Sequence, residues 1–171
     1  MKKVFSALLA GIVLSTSMLT CVGCSEVSSI LPEKEVKYKV TAEDFYFSTD
    51  NGSTYGNRRV EFPVGESVYM QVVVFITSDD NKEHDIEGEL IIPNVQAVDA
   101  YYLKGQKITP EVDEVNGVTT YPFEITTNEE WTFFFEFVPN SEGDVDMELN
   151  FDDNIPAKYD MVNTIKMVEA D

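Results

Sequence analysis

Residues 67–77 read Ser67-Val-Tyr-Met-Gln-Val-Val-Val-Phe-Ile-Thr77. Successive side chains of a strand point to opposite faces, so Val68, Met70, Val72, Val74 and Ile76 would line one face, with Tyr69 and Phe75 on the other. A run this apolar on one side predicts a long core strand, entered through the turn residues Pro63-Val-Gly-Glu66.

The same period of two extends in both directions. Val36, Tyr38 and Val40 alternate with Lys37, Lys39 and Thr41, and Phe45-Tyr-Phe47 follows an acidic break. Ile86, Gly88, Leu90 and Ile92 share a face in a run ended by Pro93. A further strand is expected from Val95 to Leu103, closed by Lys104-Gly105. Asn116-Gly117 between Val115 and Val118 predicts a two-residue type I′ hairpin. Trp131, Phe133, Phe135 and Phe137 form an aromatic row. Val145, Met147, Leu149 and Phe151 alternate with Asp144, Asp146, Glu148 and Asn150. The last segment, 159–170, reads two ways: Met161, Ile165 and Val168 suit a helical stripe, and Thr164-Ile-Lys-Met suits a strand.

The run "FPVGESVYMQVVVFITSDD" over 62–80 is similar to immunoglobulin-like domains of bacterial surface lipoproteins. That resemblance implies an all-β chain: a single immunoglobulin-like antiparallel β-sandwich of about 7–9 strands over residues 36–171. Strand-length runs separated by turn signals agree with it. The inter-sheet disulfide of antibody domains is absent, because both cysteines, Cys21 and Cys24, precede the first strand.

The leader explains those cysteines. Lys2 and Lys3 precede an apolar run from Val4 to Leu14, the layout of a secretory signal peptide and too short to span a bilayer. Cys21-Val22-Gly23-Cys24 resembles the lipobox of bacterial lipoproteins, with Cys21 where that family usually has Leu. The resemblance implies a signal peptide over residues 1–23 and a diacylglyceryl anchor on Cys24, which labelled palmitate would mark. Gly23 is the small residue that such cleavage requires. A Cys-x-x-Cys metal or redox pair belongs to folded contexts and not to an apolar leader. Residues 24–35 are then expected to be the lipidated Cys24 and a flexible linker. The expected location is the cell membrane, lipid-anchored, on its extracytoplasmic face.

The full chain of 171 residues carries 31 acidic and 12 basic side chains, a net −19. The leader removes two lysines and no acid, leaving the mature chain at −21. Such a charge repels phosphate backbones, so nucleic acid is excluded as a partner. It also suits solubility outside the cell.

Signals for chemistry are sparse. The one histidine, His84, lies in Asp79-Asp-Asn-Lys-Glu-His-Asp85 and reads as a loop residue, since the adjacent Asp85 would point away from it. Zinc and blue-copper sites need more His and Cys than the chain has. Calcium could use the carboxylates of Asp50-Asn51-Gly52, Asp79-Asp80-Asn81 or Asp152-Asp153-Asn154, but Asp and Asn favour turns for their own backbone bonds. A glycosidase needs two carboxylates, which an acidic chain supplies without pointing to any pair. No cofactor, no metal and no catalysis are expected. Aromatics are the remaining feature. Tyr55, Tyr69, Phe75, Tyr101, Tyr102 and Phe134 are candidate ligand-binding residues, with Tyr101 and Tyr102 on opposite faces of their strand. The expectation is a non-catalytic protein-interaction, adhesion or envelope-complex accessory module. The alternative is a carbohydrate-binding, calcium-assisted surface module.

Overall fold

The run 67–77 becomes the strand on which one of two sheets is built. The computed structural model describes residues 35–42, 45–56, 61–103 and 105–170. The expected lipobox and leader, and the expected linker up to residue 34, lie outside the described residues. Eleven strands are named among the described ones: β1 (Tyr38–Ala42), β2 (Tyr46–Phe47), β3 (Glu61–Pro63), β4 (Val68–Ser78), β5 (Asp85–Pro93), β6 (Val95–Tyr102), β7 (Glu111–Asp113), β8 (Val118–Thr126), β9 (Glu130–Pro139), β10 (Gly143–Phe151) and β11 (Met161–Val168). The count exceeds the expected 7–9 because β2, β3 and β7 are two- or three-residue pieces with no pattern long enough to read.

The first sheet runs β1-β4-β9-β6, with β2 also on β4; the second runs β3-β11-β10-β5-β8-β7. Every pairing is antiparallel except β3 with β11. The order β1-β4-β9-β6 reproduces A-B-E-D of immunoglobulin domains, and β11-β10-β5 reproduces G-F-C. β8 and β7 occupy the positions that C′ and C″ take in variable domains. They differ in chain order, because β6 joins the first sheet before β7 and β8 form. The fold is an immunoglobulin-like β-sandwich with that rearrangement.

The core follows the alternation. Val68, Met70, Val72, Val74 and Ile76 are each no more than 3% exposed. Their neighbours on β9 are Phe137, Phe135, Phe133 and Trp131, in register with Val68, Met70, Val72 and Val74. From the second sheet Ile86, Leu90, Ile92, Tyr121, Phe123, Ile125, Val145, Met147, Leu149, Ile165 and Met167 meet them, all buried. Rings pack across the gap, Phe123 with Phe133 at 4.8 Å and Tyr121 with Phe135 at 5.2 Å. Burying each such side chain stabilises by about 1.5–3 kcal/mol before entropy is subtracted. Trp131 is half-buried at the core's margin and donates its indole N–H to the Thr126 carbonyl at 3.0 Å. Gly88 faces the core because its cross-strand partner Phe123 fills the space a side chain would need.

One reading changes, one left open is resolved, and one strand departs from plain alternation. The Asn116-Gly117 turn is not a two-residue hairpin: Asp113 pairs with Val118, so four residues form the loop. Of the pair only Gly117 has positive φ (66°), whereas type I′ needs it at both central positions. The Asp113 carboxylate closes this loop by accepting the Val115 and Asn116 N–H groups at 3.0 and 3.1 Å. The 159–170 segment resolves as strand β11, preceded by a 3-10 turn at Ala157–Tyr159. Finally, a bulge between Ala97 and Asp99 reverses which residues of β6 face inward. Ala97 packs inward before it, Ala100 and Tyr102 after it.

Candidate functional site

The outward residues of the first sheet form rows across its strands. Gln71, Phe134 and Tyr101 are in register on β4, β9 and β6. Tyr69, Glu136 and Asp99 form the next row. The loop after β2 turns back over them. Asp50 holds that loop, accepting from Ser48 Oγ and the Thr54 N–H at 2.7 Å each and from Thr54 Oγ1 at 2.7 Å. Those hydrogen bonds keep its carboxyl low, at about 2. Gly52, at φ +80°, lies so close to Tyr55 and Tyr69 that a Cβ there would sit 3.2 Å from the Tyr55 hydroxyl and 3.3 Å from the Tyr69 ring.

The loop thereby delivers Tyr55 to the sheet face, where its ring lies 5.3 Å from Phe134, tilted by 54°. Tyr101 also stacks on Phe134, at 5.2 Å and 24°. Tyr69 donates to Glu136, which raises the Tyr69 phenol above its usual range, and Ser67 Oγ donates to the same carboxylate at 2.9 Å. The Tyr55 phenol is also raised, first by burial and then by Tyr101, Tyr69, Asp50 and Glu136 nearby. Four of the six expected residues, Tyr55, Tyr69, Tyr101 and Phe134, therefore meet in one half-buried ridge with carboxylates at its rim.

The other two candidates do not join it. Phe75 is on the outer face as expected, but its row neighbours are Thr41 and Glu130, four residues along β4 from the Phe134 row. Tyr102 is a correction: it is 6% exposed and points into the sandwich. Its hydroxyl accepts the Glu124 N–H at 3.1 Å and donates to the Glu124 carbonyl at 3.3 Å. That bond caps the edge of β8 past the end of β7, where Pro122 has no N–H to offer and Trp131 takes the Thr126 carbonyl. The residues missed in the sequence are Gln71 and Asp99, whose position beside the ridge depends on strand register, whereas Glu136 follows from alternation with Phe134 on its own strand.

The two outer faces differ in charge. The second sheet turns Glu87, Glu111, Glu124, Asp144, Asp146 and Glu148 outward and exposed, against Lys166, which bonds Glu61 at 3.3 Å. An open cleft of about 650 Å³ at the β8 edge includes Glu87, Glu124, Asp152, Phe123 and Phe151. Glu87 and Glu124 there are cross-strand partners and both exposed.

The loop acids serve turns. Asp80 accepts the Lys82 N–H at 3.0 Å and the His84 ring at 3.0 Å, and these bonds, His84 first, hold its carboxyl at about 2. The acid beside His84 is thus Asp80 and not Asp85, and Tyr38 packs edge-on to the imidazole at 5.7 Å. Asp152 accepts the Asn154 N–H at 2.8 Å and the Glu87 N–H at 3.3 Å. Among the described residues, no three acidic, His or Cys side chains converge as a metal-binding group.

No family model matches the chain, and no curated protein does. Among solved structures it is similar to AvmM, which catalyses macrocyclization in alchivemycin A biosynthesis, at 9% identity, 77% of this chain, 90% of that one and a TM-score of 0.46. It is also similar to BcpA, the major pilin subunit of Bacillus cereus, at 8% identity and a TM-score of 0.41. That second overlap takes in 78% of this chain and 41% of the pilin. Likeness this loose leaves the function to be argued from the site.

Proposed function

We propose that this chain is a non-catalytic docking module, held at the extracytoplasmic face of the cell membrane by a diacylglyceryl group on Cys24, and that it binds a protein partner through the outer face of the β1-β4-β9-β6 sheet. The observation that carries the reading is the way Tyr101 and Phe134 stack. Neighbouring strands are about 4.8 Å apart. Rings on paired residues 5.2 Å apart and 24° from parallel occupy each other's faces. They present edges outward, as a ridge. A sugar ring stacks on an open aromatic face, whereas a ridge of rigid rings suits insertion between the side chains of a protein.

Charge supports the same face. The opposite sheet is crowded with carboxylates and stays solvated. The ridge carries Asp99, Glu136 and Asp50 only at its rim, which favours a partner with apolar residues flanked by basic ones.

A photo-crosslinking residue at Leu103, 68% exposed and two positions past Tyr101, tests this in cells when compared with one at Glu148 on the other sheet. Protein adducts are expected from position 103 and should vanish in Tyr101→Ala/Phe134→Ala. Adducts from 148 alone, or Tyr101-dependent binding to purified cell-wall polysaccharide, would replace this reading with another. The anchor has its own test: Cys24→Ser should stop palmitate labelling and Cys21→Ser should not.

A further inference from the structure

The chain contains two Asn-Gly pairs, Asn51-Gly52 and Asn116-Gly117, and the structure treats them differently. We propose that Asn116 is a site of spontaneous covalent modification, losing its side-chain amide through a succinimide, and that Asn51 is protected from the same reaction. The Gly117 main-chain nitrogen gives up its proton to solvent and attacks Cγ of Asn116. A new N–Cγ bond forms, the Cγ–Nδ2 bond breaks, and ammonia leaves with a proton from water. Water then opens the ring at either carbonyl, giving aspartate or isoaspartate with no redox change.

The nucleophile must be a main-chain nitrogen that is unhindered and not held elsewhere. Glycine offers the least hindrance because it has no Cβ. At Gly52 the N–H donates to Ser48 Oγ at 2.9 Å, and the residue is wedged against Tyr55 and Tyr69. At Gly117 no described residue accepts the N–H, and among the described residues beyond its chain neighbours a Cβ there would meet only Asn94 Oδ1, at 3.2 Å. Asn116 is exposed on the β7–β8 loop, so water reaches it.

One contact restrains the reaction. Asn116 Nδ2 donates to Asp113 Oδ2 at 2.6 Å, and because a carboxylate only accepts, the amide's nitrogen must be the atom that faces it. Cγ cannot swing onto the Gly117 nitrogen until this bond opens, so Asp113 is a latch that slows the step. Once the step occurs, the product carboxylate faces Asp113 without a proton to share. Isoaspartate also adds a main-chain carbon to the turn that closes β7 on β8.

The test is peptide mapping by mass spectrometry of the full-length protein during weeks of incubation at neutral and mildly alkaline pH, with circular dichroism to show that each variant stays folded. The expected result is loss of ammonia, then replacement of NH2 by OH, at Asn116 well ahead of Asn51, and faster as pH rises. Releasing the latch with Asp113→Ala should raise the Asn116 rate about three- to tenfold and leave Asn51 unchanged. Ser48→Ala should accelerate Asn51 and leave Asn116 unchanged. Modification of Asn51 as fast as Asn116 in the parent protein, or an Asn116 rate that Asp113→Ala fails to raise, would overturn the proposal.

Discussion

Replacing Gly88 by alanine sets two effects of opposite sign against each other. Gly88 lies in β5 with ordinary backbone, since its φ is not positive. Where alanine fits such a position it stabilises by about 0.4–1 kcal/mol, because the unfolded chain has fewer states to lose. Here its Cβ would lie 2.5 Å from both Cε2 and Cζ of Phe123 and 2.8 Å from the Asn150 carbonyl oxygen. The Phe123 ring has little room to retreat: it is 5% exposed and packs on Phe133 at 4.8 Å and Phe151 at 6.3 Å. The carbonyl belongs to β10, paired with β5 at this point. Overpacking of this kind costs about 1–3 kcal/mol. The crowding wins, and the net expected loss is about 0.5–2 kcal/mol, or roughly 2–8 °C in Tm. Urea unfolding would measure it as a lower midpoint with unchanged slope. In Gly88→Ala/Phe123→Leu the two offending ring atoms are gone, so the losses should be less than additive. A Gly88→Ala protein as stable as the parent, or more stable, would refute the packing argument.

Other expectations follow from single groups. Tyr121 is fully buried, and its hydroxyl has no hydrogen-bond partner among the described residues, so burial pushes the phenol upward. Tyr121→Phe should therefore stabilise by about 1 kcal/mol in the same urea assay; a loss would mean that the hydroxyl is satisfied. Tyr102→Phe should cost about 1–2 kcal/mol by leaving the Glu124 backbone uncapped, and should make the protein associate at high concentration in size-exclusion chromatography. A variant as stable and as monomeric as the parent would remove the edge-capping role. Asp50 and Asp80 sit at about 2 in the folded chain against an ordinary 3.8. Depressed carboxyls contribute stability that is present above the ordinary value and lost as pH falls toward the folded one. The 48–56 loop should hold its NMR chemical shifts at pH 5 and lose them between about pH 4 and 2. Titration of Asp50 near the ordinary value would show that its hydrogen bonds are not maintained in solution.

The sequence by itself determined which residues make the core and that they make strands. Val68 to Ile76, Phe133 to Phe137 and Val145 to Leu149 each keep strict alternation, and burial of one face leaves no other register. The immunoglobulin-like order was also legible at the level of class, as a resemblance. Half of the candidate site was legible too, because Tyr69 and Phe134 must lie opposite an apolar face whatever the topology. Tertiary structure decided the rest. One extra residue at the Ala97–Asp99 bulge reverses the alternation of β6, so it alone selects Tyr101 for the surface and Tyr102 for the interior. No local pattern in Val95–Tyr102 encodes that choice, since both residues are tyrosine. Tyr55 reaches the ridge through a loop fixed by Asp50 side-chain bonds, and Phe75 misses it by its position along the same strand. Alternation reports which face a residue takes, but meeting on that face depends on register between strands far apart in the chain. Register is set by the packing of the whole sandwich.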